Sequence, residues 1–401
     1  MPTLYRDARG CMCVFMTLGE LVLMQQLSKE WREAVPHMAP RGFTYQIDQA
    51  KKHADHQLQQ LCHSPLRRHV GDLELMSTST RCFVSPLEMA LVFQYLPHLH
   101  TLYVALQPDA VVMRLPSQLR DLGIRWVDES SVASAQSVIA AAAQLQHLTS
   151  LRLVDIHVGV DLSPLASSPA LETFEHDSGD VPLANLHTLR CLSQLHSLSY
   201  AWTSFDALFG EPHQLQQLTF LECDSSVGET VRSPDLPLLS HHRVFHKPGR
   251  SMDFVRHLPA LTSLTLVNPE AGATHAVAAL QTCTKLTRLE FSILSITAQH
   301  LADCVQHMPQ LQSLTLSSCD ALSSLSFLSV GSLGNTLTEL HVLCYGKKIP
   351  LAELQQVHQL RQLRELSLSM NAFDQPLEAY AVQLYQPPSL LLPQLQKFEY
   401  Y

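Results

Sequence analysis

Three residues in the second half of the chain have the types and spacing of a zinc site. His300, Cys304 and His307 would share one face of an α-helix, and imidazole and thiolate groups are zinc ligands. The same stretch carries Leu301 and Met308 at the spacing of a buried helix face. Cys304 fits that apolar face as a small hydrophobic residue, so the sequence favours core packing over metal binding.

Other sequence patterns that carry chemistry are missing from the chain. There is no Gly-rich phosphate loop and no Gly-x-Ser-x-Gly nucleophile turn. Cys11 and Cys13 form a close pair, but no second pair with metal-ligand spacing accompanies them. We therefore predict no catalytic residue, no metal, no cofactor and no enzymatic activity.

A pattern of apolar residues, here called a ladder, recurs along the chain. It predicts the secondary-structure elements that position the other residues. Each ladder has three apolar residues, separated first by two variable residues and then by one, as in Leu99, Leu102 and Val104. The ladders recur about every 25 residues, which is a repeat period typical of a solenoid. Their first apolar residues are Val70, Leu99, Leu119, Leu148, Leu171, Leu195, Leu215, Leu239, Leu261, Leu286, Leu311, Leu337, Leu363 and Leu395.

The ladder and the segments between ladders predict an α/β fold. Alternation at the end of each ladder predicts a short strand with one buried face, and neighbouring strands stack into a parallel sheet. The segments between ladders carry helical apolar spacing, as at 276–283, 301–308 and 351–360. Helices are wider than strands, so the predicted sheet curves into a horseshoe, with strands on the concave face and helices on the convex face.

These features resemble those of leucine-rich repeat proteins of the cysteine-containing and ribonuclease-inhibitor-like types. In that family an Asn or Cys three residues after the last ladder residue bonds to backbone groups of the turn. Cys223, Cys319 and Asn371 occupy that position here. The resemblance implies a leucine-rich repeat solenoid of about 13–14 repeats over residues 51–401.

Residues 1–50 do not follow the repeat, and they predict a separate helical unit. The segment resembles an F-box, with Val14 before Phe15, an apolar helix, and the run Ser28, Lys29, Trp31 and Arg32. The alternative is a helical cap on the first repeat, in which the same residues are ordinary core. As an F-box, the segment would bind a cullin-ligase adaptor through Phe15, Leu18, Leu21, Met24, Leu27 and Trp31.

The composition of the chain limits the classes of partner and the cellular compartment that we predict. The net charge is −9, only 16% of residues are charged, and no basic run occurs, so we predict no nucleic-acid and no membrane partner. The ten cysteines are scattered instead of clustered at the ends of the repeats. Scattered cysteines indicate free thiols, and these predict a cytoplasmic or nuclear location.

The variable ladder residues predict a protein-binding surface on the concave face. Most are Ser or Thr, which suit strand spacing without any ligand, but two groups mix charged and aromatic side chains, as protein interfaces do. The candidates are Tyr103, Arg125, Arg152, Glu175, Asp177, Trp202, Arg243, Phe245, Arg288 and Glu290.

An F-box followed by leucine-rich repeats implies a substrate-recognition subunit of a cullin-type ubiquitin ligase. In that interpretation the N-terminal unit binds the ligase adaptor and the horseshoe binds the substrate. Two alternatives remain open. One is a plain leucine-rich repeat scaffold without a ubiquitin role, and the other is an enzyme regulator that wraps a partner protein.

Overall fold

The computed structural model divides the chain into two compact units, Met1–Leu195 and His196–Tyr401. Each unit is a stack of repeats. The structure describes residues 43–48, 61–63, 70–76, 86–96, 98–106, 115–126, 132–156, 158–177, 183–200, 215–224, 236–245, 255–256, 258, 260–268, 273–293, 295–377, 380–381 and 392–401.

Among the described residues of the first unit, six parallel strands form a sheet, and each pairs with the next one along the chain. The strands are β1 (Phe43–Asp48), β2 (Val70–Met76), β3 (Thr101–Leu106), β4 (Asp121–Trp126), β5 (Ser150–Val154) and β6 (Thr173–Asp177). The segments between them contain helices α1 (Pro86–Tyr95) and α2 (Val132–Ala142), and the 3₁₀ helices Ser163–Ser167 and Leu186–Cys191.

In the part of the second unit that the structure describes, nine parallel strands form a sheet, again paired in chain order. They are β7 (Ser197–Tyr200), β8 (Phe220–Asp224), β9 (His241–Phe245), β10 (Ser263–Asn268), β11 (Arg288–Ile293), β12 (Ser313–Ser317), β13 (Glu339–Leu343), β14 (Glu365–Leu368) and β15 (Lys397–Tyr400). The helices are α3 (Ala273–Leu280), α4 (Ala298–Val305) and α5 (Leu333–Thr336), with 3₁₀ helices at Ser326–Ser329, Leu351–Gln359 and Met370–Ala372.

The buried core lies between each sheet and its helices. Apolar ladder residues fill it, because alternate residues of a strand point to the same side. The six ladder leucines that represent this core are each at most 1% exposed, as the sequence predicts: Leu102, Leu151, Leu198, Leu264, Leu314 and Leu366. With parallel strands in chain order and helices in the return segments, the fold is an α/β leucine-rich repeat solenoid.

Helix α4 shows how the return segments are held. The Thr297 hydroxyl caps the helix by accepting a hydrogen bond from the backbone N–H of His300 at 3.3 Å. Leu301, Cys304 and Val305 are buried on its inner side. Cys304 is therefore a core residue, as the apolar pattern predicts.

The return segment at 351–360 is a 3₁₀ helix and not the expected α-helix. Its apolar residues Leu351, Leu354, Val357 and Leu360 are each three apart. A 3₁₀ helix has three residues per turn, so this spacing keeps all of them on one side, and Leu354 and Val357 are buried.

The ladder predicted to begin at Leu215 was placed three residues too early. Strand pairing sets Leu198 beside Leu221 and Ser199 beside Glu222, so the ladder begins at Leu218. The stretch contains Leu215, Leu218 and Leu221, which fit the pattern in either frame. Only packing against β7 distinguishes the frames.

The weakest predicted ladder is a regular repeat. His242 in β9 pairs in register with Leu221 in β8 and Leu264 in β10, and it is 2% exposed. Its Nδ1–H donates to the Leu221 carbonyl oxygen at 2.9 Å, which satisfies one of its two ring nitrogens. A histidine therefore replaces a ladder leucine without breaking the sheet.

The strand β1 lies within residues 1–50, where the sequence predicts a helical unit. It pairs in parallel with β2, matching Tyr45 to Leu73 and Ile47 to Leu75. The first ladder in the sequence begins at Val70, so the pattern alone did not indicate this earlier strand.

Candidate protein-binding faces of the sheets

Each sheet has a solvent face, made of the strand residues that alternate with the buried ladder residues. On β5 and β6 of the first unit, Arg152 pairs with Glu175, with Nε 3.0 Å from Oε1. Both side chains are partly exposed, at 48% and 31%. An exposed pair of this kind adds little stability, about 0–1 kcal/mol, but it fixes where the two charges lie.

Arg125 has a partner that sequence reasoning missed. Its Nε lies 2.7 Å from Oδ2 of Asp155, the residue immediately after β5. Asp155 adopts a positive φ of 58°, and its N–H donates to the carbonyl oxygen of Asp177. Aspartate adopts the left-handed conformation more readily than most residues. With this conformation the Asp155 carboxylate lies against Arg125 of β4.

Tyr103 lies at the centre of this face. Its ring covers Gly123 on the next strand, since a Cβ atom at position 123 would lie 2.1 Å from Tyr103 Cδ1. Burial raises the pKa of the Tyr103 hydroxyl, and the negative charge of Asp121 raises it further. The ring is thus a half-buried aromatic platform among carboxylates.

Carboxylates outnumber cations on the described solvent face of β2–β6. The cations are Arg125 and Arg152, and the carboxylates are Asp72, Glu74, Asp121, Glu175 and Asp177. The face therefore carries a net negative charge, which would attract a positively charged surface or segment.

Arg243 is the centre of the corresponding group in the second unit. Its guanidinium lies 3.3 Å from Oε1 of Glu222 on β8 and stacks over the Phe245 ring at 5.2 Å. Oε2 of Glu222 also accepts a hydrogen bond from Ser199 at 3.0 Å. Glu222 was not among the candidates, because the early frame of its ladder did not place it on the solvent face.

Arg288 and Glu290, which belong to the same predicted group, have different partners in the structure. Arg288 Nη2 lies 3.2 Å from Oε2 of Glu339, two strands away. Oε2 of Glu290 accepts a hydrogen bond from Thr265 Oγ1 at 3.3 Å. The intervening strand presents small Ser313 at this position, so the long arginine can cross it.

The remaining candidates lie outside the described residues. They are Trp202 on the predicted concave face and the N-terminal set of Phe15, Leu18, Leu21, Met24, Leu27 and Trp31. Their roles stay predictions.

Two cysteines at strand ends form hydrogen bonds to backbone carbonyl groups. The Cys319 thiol donates to the carbonyl oxygens of Phe291 at 3.7 Å and Ser317 at 3.3 Å, and Cys344 donates to Leu316 at 3.6 Å. Cys319 therefore has the role that the repeat pattern predicts for it. Asn371 does not, because it is exposed and its N–H is itself capped by Ser369 Oγ.

The zinc-like triplet is split by the fold. Cys304 is fully buried, and burial raises the pKa of its thiol. His307 is exposed on the solvent side, and His300 is half-buried. In the part of the chain that the structure describes, no group of three or more His, Cys, Asp or Glu side chains could hold a metal ion.

Comparison with known proteins gives matches among solved structures, and the two described here are distant in sequence. No family model and no curated protein matches the chain. Among solved structures, an internalin of Listeria monocytogenes is 16% identical, with 95% of this chain and 94% of that chain covered, at a TM-score of 0.42. A leucine-rich repeat protein of Leptospira interrogans is also 16% identical, with 92% of each chain covered, at a TM-score of 0.35. The fold assignment therefore rests on this chain's own strand register and core.

None of the described helices has both the length and the apolar character that a membrane-spanning helix requires.

Proposed function

We propose that the chain is a non-catalytic protein-interaction module, and that the solvent face of β2–β6 binds a partner protein through a segment rich in Lys and Arg. The observation that carries this proposal is the excess of carboxylates around a central tyrosine. The two cations on the described part of this face, Arg125 and Arg152, are already held by Asp155 and Glu175.

The geometry of the face supports such a role. Its side chains project from paired strands, so the surface exists before the partner arrives and little ordering entropy is lost on binding. Tyr103 offers a large rigid ring that is only partly exposed, and tyrosine is enriched among residues that dominate binding energy. The surrounding charges would favour one class of partner and speed its association.

A peptide-binding experiment on the whole chain tests this proposal. The probe is a fluorescent ten-residue peptide of alternating Arg and Gly, and its counterpart alternates Glu and Gly. We expect anisotropy to show binding of the Arg peptide only, with affinity falling as salt rises from about 50 to about 300 mM.

Matched charge reversals locate the binding surface. Asp121→Lys on β4 should weaken binding of the Arg peptide about fivefold or more at low salt. Asp303→Lys makes the same change in charge on helix α4, away from either sheet, and should have little effect. Equal losses in both variants would show that only net charge matters, and the proposed face would be wrong.

The more specific proposal is substrate recognition for a cullin-type ubiquitin ligase. It is supported by the F-box-like residues of the N-terminal segment, such as Phe15 and Trp31, placed before a leucine-rich repeat solenoid. The purified adaptor–cullin complex should then co-purify with the whole chain. Leu21→Asp should abolish that binding while the melting temperature stays within about 2 °C.

The rival interpretations give different results in the same experiment. If Leu21→Asp lowers the melting temperature and the unmodified chain binds no adaptor, the segment is a cap and the chain is a plain scaffold. If the chain binds the Arg peptide but no adaptor, the interaction module stands without the ligase role. A regulator that wraps an enzyme would also give this second result, with binding of the Arg peptide and no binding of the adaptor.

A further inference from the structure

An open polar groove runs along the amino-terminal ends of β12, β13 and β14 in the second unit. It has a volume of about 650 Å³. Gln312, Thr338 and Arg364 line it, and each immediately precedes its strand. The N–H of Thr338 donates to the Gln312 carbonyl at 2.7 Å, and that of Arg364 donates to the Thr338 carbonyl at 2.8 Å. The three residues therefore stack as successive rungs, about 4.8 Å apart.

A second row of polar residues lies two positions earlier in each repeat. It consists of Gln310, Thr336 and Gln362, which also line the groove. Asn335 from helix α5 adds a fourth carboxamide to the wall. The groove thus repeats polar groups along its length at the strand spacing, and two intervals span about 10 Å.

The wall has unused hydrogen-bonding capacity. The four carboxamide groups, from Gln310, Gln312, Asn335 and Gln362, form no side-chain hydrogen bond with other described residues, and each offers two donors and one acceptor. The Thr338 hydroxyl is already committed as a donor, to the carbonyl oxygen of Gln312 at 3.0 Å, so its oxygen remains as an acceptor.

The groove carries one positive charge and no negative charge of its own. None of its eight lining residues is a carboxylate, and Arg364 is the only ionised one. Two carboxylates follow in the chain. Glu339 is held by Arg288, and the charge of Glu365 acts on Lys397, whose pKa it helps to raise. The Arg364 guanidinium has no salt bridge within the described residues and can bind a carboxylate in a two-pronged geometry.

We propose that this groove binds an acidic saccharide, with the sugar carboxylate on Arg364 and the sugar hydroxyls on the carboxamide rows. A saccharide chain presents hydroxyls at regular intervals on an extended backbone, which matches polar groups repeated at the strand spacing. Carboxamides and hydroxyls both donate and accept, as sugar hydroxyls do. The site is separate from the face in the proposed function, and the two stand or fall independently.

The composition of the wall favours a saccharide over a peptide. Protein interfaces bury aromatic and aliphatic side chains in their centre. Pro309 is the only apolar residue among the eight that line this wall. An open polar groove that lacks an aromatic platform should bind weakly, with a Kd of about 1 mM.

Titration calorimetry with the whole chain tests the proposal. The probe is digalacturonate, and the controls are the neutral galactose disaccharide and sodium acetate. Arg364→Gln removes the charge but keeps a polar side chain. Arg361→Gln makes the same change at a neighbouring exposed arginine that does not line the groove. Melting curves confirm that both variants fold.

The expected result is binding of digalacturonate that Arg364→Gln weakens about tenfold and Arg361→Gln leaves within twofold. The neutral disaccharide should bind more weakly than digalacturonate. Acetate binding as tight as digalacturonate would reduce the site to a simple anion contact and overturn the saccharide assignment. The assignment would also be overturned if no binding is detected at a digalacturonate concentration about ten times the expected Kd. An equal loss of affinity in both arginine variants would overturn it as well.

Discussion

The ring of Tyr103 on β3 occupies the space where a side chain at Gly123 on β4 would lie. A Cβ atom at position 123 would come within 2.1 Å of Tyr103 Cδ1 and 2.5 Å of Cε1. Glycine is thus required here by the close approach of a neighbouring ring. The pair joins two strands on the face that we propose as the binding surface.

Gly123→Ala should destabilise the chain by about 1–3 kcal/mol, because the tyrosine ring must leave its position or the strands must shift. Tyr103→Ala removes the obstacle, so in the double variant the alanine at 123 should cost much less. Urea unfolding of the four proteins in this cycle measures the coupling. Additive losses would show that the ring and the glycine do not constrain each other.

Stability should fall as the pH drops below neutrality because of two buried histidines. Burial lowers the pKa values of His176 and His242 to about 4, whereas the unfolded chain has the ordinary value of about 6.5. Between pH 6.5 and 4 the unfolded chain therefore binds more protons than the folded one. Each histidine then contributes on the order of 3 kcal/mol that is present above pH 6.5 and lost as the pH falls towards 4.

His242→Leu should reduce that pH dependence by about half, since leucine cannot be protonated and the contribution of His176 remains. His241→Gln is the matched control, because His241 is the preceding residue and is exposed on the solvent face. The measurement is the urea unfolding midpoint between pH 4 and 7. A slope that changes equally in both variants would count against the buried histidine as its source.

Leu314→Ala should destabilise the second unit by about 2–5 kcal/mol. Leu314 is fully buried in β12 between Leu289 and Leu340, so its truncation loses apolar burial and leaves a cavity. Thr315→Ala changes the next residue, which is half-exposed on the solvent face, and should shift stability by less than about 0.5 kcal/mol. Similar losses in both variants would argue against the observed strand register.

The described cysteines should differ sharply in thiol reactivity. Cys191 is exposed, whereas Cys283 and Cys304 are buried, and burial raises the pKa of the Cys283 thiol to about 11. Since the thiolate is the reactive form, a neutral alkylating reagent should label Cys191 before Cys283 and Cys304 in the native protein. Peptide mapping by mass spectrometry after a short reaction checks the order, and rapid labelling of Cys304 would contradict its burial.

Full alkylation after denaturation addresses the sequence prediction of a reducing compartment. The six cysteines whose side chains the structure describes are reduced thiols: Cys62, Cys191, Cys283, Cys304, Cys319 and Cys344. Protein alkylated at lysis should therefore yield these six peptides in labelled form. Recovery of most of them as disulfides would instead indicate an oxidising compartment.

The repeating ladder was enough to predict the parallel strands after β1 and most of their core. Leucines such as Leu102 and Leu366 recur at a spacing that only stacked strands can bury, and no single repeat can bury them alone. The spacing of apolar residues also distinguishes the α-helix from the 3₁₀ helix. Residues 301–308 follow α-helical spacing, whereas the steps of three residues at 351–360 suit the 3₁₀ helix that forms.

Tertiary structure determined the alignment of one ladder and the partners of the solvent-face arginines, which the local sequence pattern did not distinguish. Leu215, Leu218 and Leu221 fit the ladder in two frames, and only packing against β7 places Leu221 and not Leu218 beside Leu198. That choice brings Glu222 to the solvent face, where it meets Arg243. Arginine side chains are long enough to reach one or two strands away, so the partners Asp155 and Glu339 depend on the positions of neighbouring repeats. Strand identity follows from the period of apolar residues, but pairing on the solvent face depends on distances between residues far apart in the chain.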